Sequence, residues 1–310
     1  MSPISRRPVS VGVDGSAAAM AAVGWAAAEA SWRKVSLRLV HALFQIPTGL
    51  HPKASEADRR RVSERHGQRI LDAASHRASA VAPEVELLSQ LARVSSAAAL
   101  VSASTTSCLV VVGTDGSGQA SSALLGSTVA AAITQVQCPV AIVPPDRPPR
   151  TAGGIVVGVD YDHDVVHPHV RAAVDYAFEA AVREGSRLLA LHAWNDLSTE
   201  PTPGMVIPIL VDWKRLATRQ RSRLATALQP WMLRFPQVKV DFVTTTGPAR
   251  RALVELSRTA GTVVLGSRGS GGVAGLPLGS VARTVLHSGH CPVVVVHDVA
   301  GGHYIQQTAD

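Results

Sequence analysis

In the first half of the chain, short unbroken apolar runs alternate with longer stretches in which apolar residues recur every three or four positions. The runs predict strands at Val9 to Asp14, Val35 to Ala42, Val85 to Leu91, Ser107 to Gly113 and Val140 to Val143. The periodic stretches predict helices at Ser16 to Trp32, Ser55 to Ala82, Ser95 to Thr105 and Ser127 to Gln135. Continuous apolar strands separated by helices imply a parallel sheet covered on both faces. Ligands of such sheets bind beyond the carboxyl ends of the strands, where the strand order reverses.

The pattern then repeats, with strands near Ile155, Leu188, Val238, Thr262 and Val293. The repetition extends to individual residues. "VVVGTDGSGQASSALLGSTVAAAITQVQCPVAIVPP" from Val110 and "VVLGSRGSGGVAGLPLGSVARTVLHSGHCPVVVVHD" from Val263 align without a gap. Upstream, "VSVGVDGS" at Val9 matches "IVVGVDYD" at Ile155, and "LRLVHAL" at Leu37 matches "RLLALHAW" at Arg187. The chain is therefore a tandem duplication, joined through the proline-rich "PPDRPPRTAGG" from Pro144 to Gly154. The expected domains are 1–147 and 148–310.

Composition narrows the function classes. A chain of 310 residues, 46% hydrophobic and 17% charged, is globular and long enough for two ordinary cores. Its net charge of +7 is carried mainly by arginine, which suits anionic ligands without specifying one. Asp14 and Gly15 interrupt the apolar stretch after the Arg6–Arg7 pair, so a strand and a helix, not an export signal, are expected there. No stretch reaches the length of a membrane span. Three cysteines in apolar settings make no disulfide framework and fit a reducing cytoplasm; Cys108, Cys138 and Cys291 read as buried structural residues.

Glycines cluster where a strand hands over to a helix, the place where backbone amides approach an anion most closely. The spacing Gly, two residues, Gly, nine residues, Gly-Ser occurs as Gly113, Gly116, Gly126 and Ser127, and again as Gly266, Gly269, Gly279 and Ser280. It resembles the ATP-binding motif of the universal stress protein family, in particular its tandem-domain members from mycobacteria and related actinobacteria. The resemblance includes an Asp ending each first strand, Asp14 and Asp160, and a Cys-Pro before each last strand. It implies two doubly wound α/β domains with strand order 3-2-1-4-5, and ATP, with or without Mg2+, held between strands one and four. By position it places Asp14 and Asp160 near adenine or ribose, the main chain near Ala42 and Ala193 on the base, and the glycine loops with Ser127 and Ser280 on phosphates. Gly15 belongs to the first site and Arg268 to the second. The fifth strands often pair domains in this family, which leaves open a homodimer or pairing within one chain. A role in stress, hypoxia or dormancy responses follows from the same resemblance.

Two differences predict unequal sites. Asp115 stands in the first phosphate loop where Arg268 stands in the second, and a carboxylate there repels phosphate unless a cation intervenes. Tyr161 and "DHDVVHPH" follow Asp160, which predicts partial cover over the second entrance. That run reads as a solvated loop opening a helix, because its spacing fits no closed metal site. No Lys-Ser or Lys-Thr follows the glycines, so the loops are not phosphoryl-transfer loops of the Walker A kind. Asp14 and Asp160 also suit simple helix caps. The arginines at 59, 60, 61, 65 and 69 and at 215, 219, 221 and 223 read as solvated helix faces, not a nucleic-acid surface. An ATP-binding regulator is thus the leading reading. A slow or autophosphorylating ATPase, with Asp115, Ser117, Ser267 or Ser270 as loop candidates, and a nucleotide-free interaction module are its alternatives. A bulkier residue at Gly113 or Gly266 is expected to abolish binding by placing a Cβ in the phosphate path.

Overall fold

The structure, a computed structural model, describes residues 7–44, 55–114, 127–145, 153–194, 212–269 and 278–297. These separate into two compact units at the 150/151 junction. The first contains β1 (Val9–Gly12), α1 (Ala17–Arg33), β2 (Leu37–Ala42), α2 (Glu56–Val81), β3 (Leu87–Ala92), α3 (Ser96–Ser104), β4 (Leu109–Gly113), α4 (Ser127–Gln135) and β5 (Val140–Val143). All its strand pairings are parallel, β2 with β3, β1 with β2, β1 with β4 and β4 with β5, giving the order 3-2-1-4-5.

The second unit begins with β6 (Ile155–Gly158), a short hairpin of β7 (Tyr161–Asp162) and β8 (Val165–Val166), and α5 (Pro168–Glu184). It continues through β9 (Leu188–Trp194), α6 (Trp213–Arg234), β10 (Val240–Thr246), α7 (Ala249–Leu256), β11 (Thr262–Gly266), α8 (Ser280–Ser288) and β12 (Val293–Val296). Its parallel pairings run β10-β9-β6-β11-β12, the same order.

Burial explains why these runs are strands. Val9, Val11, Leu109, Val110 and Val111 have no exposed surface, as expected of central strands covered by helices on both sides. Each such side chain contributes about 1.5–3 kcal/mol of transfer free energy. Helix α2 buries Ser63, Gly67, Leu71, Ala74 and Ala78, a stripe of mostly small residues that lets it press close to the sheet. The duplication reaches the hydrogen bonds. Ser104 Oγ accepts from Gln137 N at 3.0 Å, and Ser257 Oγ accepts from His290 N at 2.9 Å, in each case just before the Cys-Pro pair. Among the described residues, no helix is long and apolar enough to cross a membrane.

Candidate functional site

In the second unit the strand order reverses between β6 and β11, and a cleft of about 290 Å³ opens beyond their carboxyl ends. Asp160, Ala193, Gly266, Arg268, Gly269, Gly279 and Ser280, all singled out from the sequence, line it. Leu191, Leu253, Leu265 and Ala249 give it apolar walls. At the other end stands α8, whose N-cap Gly279 makes no side-chain capping bond. The first-turn residues Val281 and Ala282 also line the cleft, and first-turn amides have no helical partner. A cleft of this kind takes a ligand with an anionic end and a planar or apolar end.

The glycines divide into two kinds. A Cβ on Gly266 would stand 2.6 Å from the His169 carbonyl oxygen, and one on Gly113 would stand 2.3 Å from that of Ala18. Both glycines are therefore demanded by the helix that follows the first strand, where backbone meets backbone. This adds a packing reason to the one expected from the sequence. By contrast, a Cβ on Gly279 would find its nearest neighbour at 3.6 Å, and one on Gly269 would find Asp160 Oδ2 at 3.9 Å. The protein leaves room at these two positions, and that room belongs to the cleft. The Gly279 amide donates to the Ser267 carbonyl at 2.8 Å, which holds the start of α8 against the end of β11.

In the first unit, Asp14 Oδ1 accepts from the Ser16 amide at 2.9 Å, and Ser16 caps α1 by accepting from Ala19 N at 3.1 Å. Between them Gly15 has φ +88°, a left-handed turn that favours glycine. Ala42 ends β2 and Gly113 ends β4, as expected. Ser127 opens α4, while Asp115, Gly116, Ser117 and Gly126 lie outside the described residues, as does Ser270 of the second loop.

The run after Asp160 differs from its expected form. It is a hairpin, with His163 and Asp164 at φ 47° and 64° forming the tight turn between β7 and β8. Tyr161 does not line the cleft. Its ring packs on His192 with centroids 4.2 Å apart, and its hydroxyl donates to Gln220 on α6 at 3.0 Å. Arg223 Nε pairs with Asp164 Oδ1 at 2.7 Å, which fastens the hairpin's turn to the same helix. The N-cap position of α5 is His167, whose amide donates to the Asp160 carbonyl at 2.9 Å. Among the described residues, no cluster of three or more His, Cys, Asp or Glu is placed to hold a metal.

Sequence reasoning missed a buried histidine that occurs once per unit. His41 Nδ1 donates to the Val13 carbonyl at 2.7 Å, and His192 Nδ1 donates to the Val159 carbonyl at 3.0 Å. Each ties the second strand to the residue before the site aspartate. Burial lowers the His192 pKa, opposed by its bond to Val159 and by the Asp160 charge. The available signal was the His shared by "LVHAL" and "LALHAW". The pKa of His297, after β12, is also lowered, first by burial and then by the positive charge of Arg268.

The sequence profile of the Universal stress protein family matches residues 5–144 and again 154–297. A universal stress protein of Mycobacterium bovis is 35% identical over 313 residues, covering 92% of this chain and 93% of its own length. Another, from Mycobacterium tuberculosis, is 34% identical over 295 residues, covering 93% and 95%. The crystal structure of a universal stress protein from Archaeoglobus fulgidus superimposes with a TM-score of 0.66 over 96% of this chain and 99% of that one, at 16% identity.

Proposed function

Because both halves of the chain belong to the universal stress protein family, we propose that it is an ATP-binding regulator of stress, hypoxia or dormancy responses in the cytoplasm. Nucleotide occupancy would set its conformation or its affinity for a protein partner. The observation that carries this reading is the convergence of the second-half residues on one cleft, with open amides and vacant Cβ space at its α8 end. In the proposed pose, Asp160 and the main chain at Ala193 meet the nucleoside. The loop from Gly266 to Gly269, with Gly279, Ser280 and Arg268, meets the phosphates. Asp14, Gly15, Ala42, Gly113, Gly116, Gly126 and Ser127 hold the corresponding positions in the first half.

Binding needs only helix-start amides, hydroxyls and a cation, and these hold a triphosphate without a catalytic group. Magnesium would enter with the nucleotide, bound mainly by phosphate and water.

The test is mass spectrometry of the nucleotide released by denaturing the purified protein, with its molar ratio to chain, followed by titration with ATP and magnesium. ATP released or bound at one or two per chain is expected. Conversion of added ATP to ADP would assign the protein to the slow ATPases. Neither co-purified nor titrated nucleotide would overturn the reading in favour of an interaction module.

A further inference from the structure

The amino ends of β4 and β5 bring together two cysteines that are thirty residues apart in sequence. Val110 of β4 is in register with Val140 of β5, and the Val110 amide donates to the Pro139 carbonyl at 3.0 Å. Cys108 lies two residues before Val110, and Cys138 two residues before Val140. The bond from Val110 to Pro139 runs the segment entering β4, which carries Cys108, alongside the segment entering β5, which carries Cys138. Strands in a ladder are about 4.8 Å apart, within the range of about 4.4–6.8 Å between the Cα atoms of a disulfide.

The two thiols differ in access. Cys138 is 1% exposed, whereas Cys108 is half-buried. Burial first, and then the neighbouring Cys108, push the Cys138 thiol up to about 12, while Arg33 and Arg7 pull it down. Arg7 precedes Pro8, whose carbonyl accepts from the Cys108 amide at 3.0 Å, so positive charge borders the pair. The second unit has no such pair. Gly261 stands at the sequence position that matches Cys108, two residues before Val263.

We propose that Cys108 and Cys138 form an intramolecular dithiol site for oxidants of the hydroperoxide class. The Cys108 thiolate attacks the terminal peroxide oxygen, the O–O bond breaks, and the leaving oxygen takes a proton to depart as alcohol or water. This leaves a sulfenic acid on Cys108. The Cys138 sulfur then attacks the Cys108 sulfur; the S–S bond forms, the S–O bond breaks, and hydroxide leaves as water with the Cys138 proton. Two thiols lose two electrons and the hydroperoxide gains them. The bridge would clamp β4 to β5 at the end opposite Gly113.

The test treats the full-length native protein with hydrogen peroxide, alkylates the remaining thiols and maps the peptides by mass. Alkylatable thiols are expected to fall from three to one, with a two-hydrogen loss of mass, a linked Cys108–Cys138 peptide and full reversal by dithiothreitol. Cys108→Ser is expected to abolish the loss. In Cys138→Ser, dimedone is expected to trap a sulfenic acid at Cys108. Three alkylatable thiols after treatment, or a bridge joining two chains or involving Cys291, would overturn the proposal. Wild-type mapping alone decides the matter if either variant fails to fold.

Discussion

At the residue scale, the glycine motif combines two kinds of demand. Gly113 and Gly266 are glycines because another segment's backbone occupies the space of a Cβ, at 2.3 and 2.6 Å. Their identity would be required with no ligand present. Gly279 differs, because a side chain fits there and φ is −68°, an ordinary value. Serine at that position would supply the missing cap to α8 and occupy the amides proposed for phosphate. We therefore expect Gly279→Ser to raise stability by a few tenths of a kcal/mol and to weaken ATP binding about tenfold, the loss of a charge-assisted hydrogen bond. Gly266→Ala is expected to cost about 1–3 kcal/mol of stability through overpacking. Thermal melts and calorimetric titration of both variants check this; equal loss of stability in the two would sink the distinction. The spacing of the motif was legible in sequence. The division of labour was not, because it depends on what lies across from each Cα, and the His169 carbonyl is nearly a hundred residues from Gly266 in the chain.

At the element scale, the boundaries were legible to within a few residues, since apolar runs and serine caps mark them locally. Ser16, Ser55 and Ser95 each accept an amide of the helix they open, as their positions imply. The β7–β8 hairpin was not legible as a strand pair, because a two-residue strand has no period to detect. Its character comes from tertiary contacts, Tyr161 with Gln220 and Arg223 with Asp164. The tie from β9 to the end of β6 has a pH signature. His192 and His297 both have pKa values below the ordinary value of about 6.5, chiefly through burial. Below that value the unfolded chain binds protons that the folded one refuses, so stability falls as pH drops and is fully present above it. Melting temperature should therefore decline as pH is lowered from 7.5 through 6 to 5. In His192→Asn, whose amide can still donate to Val159 but does not titrate, the decline should be smaller. An unchanged decline would mean that other groups govern acid sensitivity.

At the scale of the whole molecule, duplication supplies two units of one fold, and divergence has made their glycine loops unequal in charge. The shared order, the paired histidines and the paired Ser104 and Ser257 bonds show how much of the ancestral unit both halves keep. The charges in the proposed phosphate loops have not been kept. Arg268 borders the second cleft, while the sequence puts Asp115 at the matching place of the first. A unit charge about 4 Å from a phosphate oxygen is worth about 1 kcal/mol in water and about 4 kcal/mol at a protein surface, so reversing it changes affinity about tenfold or more. Titration of the wild-type chain should accordingly resolve a tighter and a weaker class of ATP. Arg268→Asp, which gives the second loop the charge of the first, should weaken the tighter class at least about tenfold and leave the other unchanged. Asp115→Arg should tighten the weaker class, and both shifts should shrink as salt is raised, because exposed charges are screened. If Asp115→Arg instead weakens binding, Asp115 serves a cation that accompanies the nucleotide, and the first site works by a different balance of charge from the second.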